Sequence, residues 1–256
     1  DVWDRDFPLP PTLVDLTVDG ELIPALVQNS KQAFTYAFNR VTGEPIWPIE
    51  AREVPQSVVP GEQTSPTQPF PTKPPAYDKQ GSSIDDLIDF TPELRAEAEA
   101  VVSRYKLGPI FTPPVVSRLD GPLGTLMAPA AGGGTNWPGG SYDPDTHILY
   151  VSSNRSVGAL GLMPPYPGQS DMEYIQGNAI AGPRTSGGAG SSAGGGRTSF
   201  DVPPRPPIPA EVRRLGRLSV QGLPLLKPPY GIISAIDMDR GEILWQIPHG
   251  ETPDNV

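Results

Sequence analysis

The chain has 256 residues, a formal net charge of −10 and no cysteine. The negative charge and the lack of a basic cluster exclude a nucleic-acid-binding protein, which depends on grouped lysines and arginines. The absence of cysteine excludes disulfides, thiolate metal sites and a cysteine nucleophile. Proline (35) and glycine (28) are abundant, which favours a β-rich domain with long loops. No apolar run approaches the roughly 18 residues that a membrane-spanning helix needs.

The first predicted elements are four short strands within residues 10–50, with the sequences TLVDLTV, ELIPALVQ, FTYAF and PIWPI. Turn signals separate them: Asp-Gly, Asn-Ser-Lys-Gln and Thr-Gly. Four strands in about 40 residues is typical of one blade of a β-propeller.

Residues 50–120 are predicted to form a Pro-rich insertion that carries one short helix. Thr91 is a natural N-cap and Pro92 suits the first helical position, so we expect a helix over about 92–106, ending before Gly108. The charged side chains of this helix predict a solvated face.

Residues 121–248 are predicted to form one or more further blades. The sequence SYDPDTHILYVSS predicts a hairpin at 141–153, and residues 231–247 predict another. The connection between them, about 155–228, is then an insertion. Its Gly-rich stretch GGAGSSAGGG is predicted to be flexible.

One local pattern occurs twice, as AFNRVTGEPIWPI at 37–49 and AIDMDRGEILWQI at 235–247. In each copy a tryptophan, Trp47 or Trp245, lies four residues after a turn glycine. Internal repeats indicate a propeller, in which each blade depends on its neighbours for burial. We therefore expect both tryptophans to stack between neighbouring blades and to take no part in chemistry.

The repeated pattern Ala-x-Asp/Asn-x-x-x-Gly-Glu-x-x-Trp resembles the tryptophan-docking motif of the quinoprotein dehydrogenases. Those proteins are eight-bladed propellers that hold pyrroloquinoline quinone (PQQ) and a divalent cation. The resemblance implies an all-β fold, a partial eight-bladed β-propeller of about two to three four-stranded blades. The motif also resembles the repeats of non-catalytic propellers. Three further stretches of sequence must therefore decide between a quinoprotein dehydrogenase and a non-catalytic propeller.

The first stretch, DVWDRDFPLP, resembles the segment with the catalytic aspartate and implies that Asp4 is the general base. In VQNSKQAFTY, Lys31 matches the basic residue that hydrogen-bonds the quinone. A lysine here, 27 residues after Asp4, is similar to the membrane glucose-dehydrogenase branch. In GTNWPGGSYDP, Asn136 matches a cofactor-binding polar residue, and Trp137 lies beside it.

Each candidate residue also has a purely structural interpretation. Asp4 would be a solvated aspartate, Lys31 a lysine of a surface turn, and Asn136 a residue that tolerates a left-handed backbone in a Gly-rich turn. Asp6 either pairs with Arg5 or supports the metal. Asp4 and Asp6 are thus the candidate metal ligands, and the combination of Asp4, Lys31 and Asn136 favours the enzyme.

The resemblance implies an oxidoreductase of a sugar or alcohol, in which Asp4 takes a proton and hydride passes to PQQ. Electrons would pass to ubiquinone or a cytochrome. Calcium or magnesium is expected in preference to a lanthanide, and the location is expected to be periplasmic, with membrane association through an N-terminal part. Since the family's main cation ligands lie upstream, we expect a C-terminal fragment that is inactive alone. The alternative is a non-catalytic β-propeller scaffold that binds protein partners.

Overall fold

The computed structural model describes residues 2–184 and 207–250, and its regular structure is mostly β. The strands are β1 (Thr12–Val18), β2 (Glu21–Asn29), β3 (Thr35–Asn39), β4 (Ile49–Glu53), β5 (Thr67–Pro71), β6 (Gly81–Ser82), β7 (Tyr105–Lys106), β8 (Gly108–Pro109), β9 (Val115–Val116), β10 (Gly124–Met127), β11 (Gly140–Asp143), β12 (Ile148–Asn154), β13 (Gly158–Met163), β14 (Ile175–Asn178), β15 (Gly182–Pro183), β16 (Ser219–Val220), β17 (Leu223–Pro224), β18 (Gly231–Asp237) and β19 (Glu242–Pro248). The helices are α1 (Pro92–Val102), α2 (Ala210–Leu215) and a 3-10 helix at Ile84–Asp86.

The sequence predicted α1 but not α2. Within the described ranges, neither helix is long and apolar enough to cross a membrane. Residues 185–206, which contain the Gly-rich stretch predicted to be flexible, lie outside the described residues.

The first sheet has three antiparallel strands in the order β1-β2-β3. The fourth strand predicted for this blade forms only a single bridge, between Phe38 and Pro45. Pro45 and Pro48 have no backbone N–H and cannot continue a ladder. Beyond them the chain turns away, and β4 pairs with β5 as a separate hairpin.

The second sheet has four antiparallel strands in the order β11-β12-β18-β19. Its central pair, β12 and β18, runs in register from Ile148 opposite Asp237 to Asn154 opposite Gly231. The chain between these neighbouring strands is therefore a long excursion. It contains β13–β15, which join a sheet of order β15-β14-β13-β10-β7 with β9 paired to β13. The two predicted insertions thus share strands with each other.

An apolar cluster lies between the first and second sheets. It consists of buried side chains from both sheets and from the loops beside them: Val14, Leu16, Ala25, Val27, Ala33, Ala37, Tyr77, Leu149, Val151, Ile236 and Met238. Side chains alternate along each strand, so one face of each sheet is apolar and turns toward the other. The two sheets are therefore packed face to face.

Helix α1 begins as the sequence predicted and ends earlier. The Thr91 side chain accepts a hydrogen bond from Leu94 N at 3.2 Å, which confirms the N-cap. The helix ends at Val102, and not near 106, because β7 (Tyr105–Lys106) pairs in parallel with β10. A predicted solvated face is present, since Arg95 pairs with Glu99 at 2.7 Å on the exposed side.

The two copies of the repeated pattern have the same turn. Gly43 N donates to the Asn39 carbonyl at 2.8 Å, and Gly241 N donates to the Asp237 carbonyl at 2.8 Å. A Cβ added at Gly241 would lie 3.0 Å from the Trp47 ring, so this indole packs directly on the turn of the second copy. The Trp47 indole thus contacts the second sheet at this turn, whereas its predicted stacking between neighbouring blades stays a prediction.

Trp245 has a different environment. It lies on β19, the edge strand of the second sheet, and is 43% exposed. Its ring centroid is 5.9 Å from that of Tyr150. Leu244 and Ile247 on the same strand are also exposed. This edge therefore presents apolar side chains that the described part of the chain leaves uncovered.

Candidate active site

Asp4 and Asp6 lie on the exposed side of a segment in which their neighbours Trp3 and Arg5 are buried. Trp3 is 1% exposed, and its Nε1 donates a hydrogen bond to the Thr112 carbonyl at 3.1 Å. Arg5 is 3% exposed, whereas the side chains of Asp4 and Asp6 are 65% and 57% exposed. Burial of the side chains at positions 3 and 5 leaves both carboxylates on the exposed side of this segment.

The backbone of Asp4 is in the left-handed region, with a φ of 56°. Few residues other than glycine adopt this conformation, although aspartate tolerates it better than most. Such conformations persist where the surroundings hold them, and they cluster at functional sites. In this conformation the Asp4 carboxylate lies beside Lys31, with its Oδ1 3.0 Å from the lysine Nζ.

Lys31 lies in the loop between β2 and β3, yet only 9% of its side chain is exposed. Two hydrogen bonds close this loop: Ala33 N donates to the Ser30 carbonyl at 3.0 Å, and Phe34 N donates to the Ser30 hydroxyl at 3.2 Å. The interpretation of Lys31 as a lysine of a surface turn is therefore wrong.

The Lys31 ammonium is shared by two carboxylates. Its Nζ lies 3.0 Å from Asp4 Oδ1 and 2.5 Å from Asp6 Oδ1. Asp6 therefore pairs with Lys31 and not with Arg5, whose guanidinium donates to backbone carbonyls instead. An ammonium has three N–H groups, so one donor of Lys31 remains for a further acceptor.

These contacts fix the charge states of Lys31 and Asp6. Burial alone lowers the pKa of Lys31, but its hydrogen bonds to Asp6 and Asp4 outweigh burial and raise the pKa above the ordinary value. The same bond from Lys31 lowers the pKa of Asp6 below its ordinary value. At neutral pH the pair is thus an ammonium beside a carboxylate.

The Gly-rich loop after β10 covers Lys31. Gly134 N donates to the Lys31 carbonyl at 3.0 Å. Gly133 has a φ of 80°, and a Cβ added there would lie 2.6 Å from the Lys31 Cγ. Only glycine permits this close approach. The glycines of this loop therefore serve to bury the lysine stem, which explains how a loop residue is so little exposed.

Asn136 and Trp137 lie in this same loop. Asn136 Nδ2 donates to the Gly132 carbonyl at 2.6 Å, and its Oδ1 accepts from Trp137 N at 2.8 Å. Asn136 does not have the left-handed backbone of the structural alternative. One of its two amide N–H groups stays available for another partner. The Trp137 side chain is 79% exposed.

The sequence analysis missed two glutamines of the site region, Gln32 and Gln80. The Gln32 side chain donates to the Arg5 carbonyl at 3.0 Å, and Gln80 donates to the Gln32 carbonyl at 2.6 Å. Gln32 and Arg5 thus join the Lys31 loop to the segment of Asp4. Trp3 and Arg5 alternate with two aspartates in the sequence, and this alternation was the signal that could have indicated a buried Arg5. No sequence pattern pointed to Gln32.

A protein-family model described as glucose/ethanol/alcohol dehydrogenase, beta-propeller domain, of the PQQ type matches residues 1–256. The chain belongs to this family. The two sheets packed face to face are accordingly parts of a β-propeller, and the all-β propeller fold predicted from the sequence is confirmed.

Curated relatives of this PQQ family are similar along almost the whole chain. The glycerol dehydrogenase large subunit of Gluconobacter thailandicus is 32% identical over 98% of this chain and 32% of its own length. The quinate/shikimate dehydrogenase (quinone) of Acinetobacter baylyi is 30% identical over 99% of this chain and 29% of its own. The quinoprotein glucose dehydrogenase of Escherichia coli is 29% identical over 100% of this chain and 29% of its own. The chain thus spans about a third of their length.

The residues at the site fit part of a PQQ and cation site. Lys31 keeps one N–H donor for a cofactor oxygen, and Asp4 and Asp6 offer the carboxylate oxygens that calcium and magnesium prefer. Two carboxylates do not make a complete cation site. In residues 2–184 and 207–250, no group of three or more His, Cys, Asp or Glu side chains is placed to hold a metal.

Proposed function

We propose that this chain is part of a PQQ-dependent dehydrogenase that oxidises a sugar or alcohol, with Asp4 as the general base. The observation that carries the proposal is the Lys31 ammonium held between the carboxylates of Asp4 and Asp6 at 3.0 and 2.5 Å. Membership of the PQQ family supports it. Two outward-facing carboxylates beside one ammonium would supply the base and the hydrogen-bond donor that oxidation of an alcohol requires.

Removal of hydrogen from an alcohol carbon requires a base for the hydroxyl proton. Asp4 suits this task because its carboxylate is largely exposed and can reach a substrate hydroxyl, while Lys31 fixes its orientation. Asp6 keeps Lys31 protonated, so the lysine can donate its third N–H to an oxygen on which negative charge develops. Lys31 is thus a donor and an orienting group.

No side chain accepts a hydride, so PQQ, when bound, supplies the two-electron acceptor. Lys31, Asn136 and Trp137 are the residues of this chain that would hold it. The carboxylates of Asp4 and Asp6 would contribute to a calcium or magnesium site, where the cation would act as a Lewis acid. Further cation ligands would come from a part of the protein outside this chain.

The substrate class, electron acceptor and location are parts of the same proposal. The relatives named above are glycerol, quinate/shikimate and glucose dehydrogenases, and all three names describe compounds with several hydroxyl groups. We therefore favour a polyhydroxylated substrate. A quinone or cytochrome acceptor and a periplasmic location would suit an enzyme of this family.

The test uses the full-length gene product with PQQ and calcium or magnesium added. Reduction of an artificial dye is followed with glucose, glycerol, quinate and simple primary alcohols. The proposal expects dye reduction that requires PQQ and is fastest with a polyhydroxylated compound. If the protein binds no PQQ, the dehydrogenase proposal fails and the non-catalytic scaffold takes its place.

A further inference from the structure

Arg5 lies between the two exposed aspartates but points into the protein. Its Nη2 donates to the Pro129 carbonyl at 2.7 Å, and its Nη1 donates to the Ala130 carbonyl at 3.2 Å. Both acceptors are more than 120 residues away in the chain, with sequence separations of 124 and 125. Arg5 thus ties the segment that carries Asp4 and Asp6 to the start of the Gly-rich loop.

That loop also contacts Lys31 and carries Asn136. Gly133 N donates to the Ala130 carbonyl at 2.8 Å, and Gly134 N donates to the Lys31 carbonyl at 3.0 Å. The Gln32 side-chain amide donates a hydrogen bond to the Arg5 carbonyl at 3.0 Å. A closed set of hydrogen bonds therefore joins three distant stretches of chain, and Arg5 takes part with both its side chain and its backbone.

Burial of the charged Arg5 side chain carries an unfavourable desolvation free energy. Its Nε is buried and has no hydrogen-bond partner among the described residues. Burial lowers the pKa of Arg5 to about 10, although the charge of Asp4 opposes the shift. An apolar side chain of similar volume would avoid this desolvation. An apolar side chain could not form the two hydrogen bonds to the carbonyls of Pro129 and Ala130. These bonds hold the segment of Asp4 and Asp6 against the Gly-rich loop.

We propose that Arg5 is a positioning residue that holds Asp4 and Asp6 in a fixed relation to the loop of Asn136 and Trp137. This inference rests on the proposed function, because it assigns a purpose to the geometry of that site. Asp4 is held in a left-handed conformation that needs support from its surroundings. Its two sequence neighbours supply that support: Trp3 donates to the Thr112 carbonyl, and Arg5 donates to the carbonyls of Pro129 and Ala130.

The test compares three variants of the full-length gene product: Arg5→Met, Arg5→Lys and Arg104→Met. Arg104 is the matched control, because it too donates to two backbone carbonyls, those of Leu119 at 2.7 Å and Gly121 at 3.1 Å. Amide hydrogen exchange is measured by mass spectrometry on peptides covering residues 3–8, 28–34 and 129–139. The PQQ dissociation constant, kcat and KM are measured on the same samples.

We expect Arg5→Met to accelerate exchange in those peptides about tenfold, since two charge-assisted hydrogen bonds are lost. It should lower kcat about tenfold or more with a smaller effect on KM, since displaced groups lose catalysis before binding. Arg5→Lys should recover part of both losses. Arg104→Met should leave all three peptides and kcat unchanged, even where it lowers the melting temperature.

Unchanged exchange in Arg5→Met would refute the positioning role, whatever the activity. Equal loss of kcat in Arg5→Met and Arg104→Met would also refute it, because the effect would then reflect general destabilisation. If the wild-type protein neither binds PQQ nor reduces dye, the proposed function fails. Faster exchange confined to the three peptides would in that case still show that Arg5 holds them together.

Discussion

The burial of Lys31 shows how a single side chain acquires a role that its loop position does not suggest. Its ammonium has two carboxylate partners, and its stem is covered by Gly133 from a distant loop. A buried charge with two opposite charges at hydrogen-bond distance is held in one geometry. Removal of the ammonium would leave Asp4 and Asp6 without their shared partner.

Lys31→Met in the full-length gene product is expected to weaken PQQ binding and to lower kcat by about a hundredfold, because a donor aimed at developing charge is lost. Lys31→Arg should lose less, since the charge is kept, but its wider fork must fit beside Gly133. Quenching of protein fluorescence by PQQ gives the affinity, and dye reduction gives kcat.

Lys227→Met is the control for that measurement. Lys227 also pairs with an aspartate, Asp89 at 3.2 Å, but it lies outside the proposed site. This variant should bind PQQ and turn over as the wild type does. Wild-type PQQ affinity in Lys31→Met would show that the ammonium does not contact the cofactor.

At the scale of elements, the two copies of the repeated turn offer a matched comparison. Gly43 and Gly241 both have a positive φ, of 80° and 65°. A Cβ at Gly43 would meet nothing within 4 Å, whereas one at Gly241 would lie 2.9 Å from Lys73 Cβ and 3.0 Å from the Trp47 ring. The turns are alike, but within the described part of the chain side chains pack closely against the Gly241 turn and not against the Gly43 turn.

Gly43→Ala should therefore cost only backbone strain, about 1–2 kcal/mol in the free energy of unfolding. Gly241→Ala should cost about 1–3 kcal/mol more, because Trp47 and Lys73 must move. Urea unfolding of both variants measures the difference. Equal costs would mean that Trp47 does not dock on the second turn in solution.

The hairpin of β11 and β12 supplies a prediction for pH. The Thr146 hydroxyl donates to Asp143 at 2.7 Å and, together with Asp145 N, lowers the pKa of Asp143 below its ordinary value. A lowered carboxyl pKa contributes stability that is present above the unfolded-state pKa of about 4 and is lost as pH falls through the folded-state value.

Thr146→Val is accordingly expected to have a lower melting temperature than the wild type at pH 7, and the difference should shrink below about pH 4. Thr146→Ser keeps the hydroxyl and should follow the wild type at both pH values. A difference for Thr146→Val that is the same at pH 7 and pH 3 would contradict the assigned bond.

Local signals allowed the turns and the start of α1 to be predicted, because Asn39, Asp237 and Thr91 act on backbone groups within a few residues. Local sequence signals did not predict the ends of elements where pairing with a distant strand determines the structure. Helix α1 stops at Val102 because Tyr105 and Lys106 pair with β10, about 20 residues later. The first blade lacks its fourth strand because two prolines interrupt the ladder.

In the candidate site, too, contacts between distant stretches of chain were harder to predict than local features. Asp4 and Lys31 were predicted from a family resemblance, and their contact at 3.0 Å agrees with their selection as a group. The contact of Lys31 with Asp6 and the hydrogen bonds of Arg5 and Gln32 could not be predicted. The bonds of Arg5 involve the loop at 129–139, whose position only the folded chain defines.

At the scale of the whole molecule, the chain is a part of a propeller in which the edge strand β19 presents exposed apolar side chains. Leu244, Trp245 and Ile247 on β19 are between 43% and 48% exposed. The chain spans about a third of the length of its curated relatives. The proposed site is likewise partial, since two carboxylates and one ammonium need further ligands to hold a cation and PQQ. Activity is therefore expected of the full-length gene product.

The most direct test of the account is the single-turnover rate of PQQ reduction by substrate in Asp4→Asn, with Asp19→Asn as control. Asp19 is an exposed aspartate with a similar left-handed backbone, φ 51°, and has no place in the proposed site. The account predicts that Asp4→Asn binds PQQ but reduces it at least about a hundredfold more slowly, as expected for loss of a general base. Asp19→Asn should match the wild type. A wild-type rate in Asp4→Asn would contradict the assignment of Asp4 as the base.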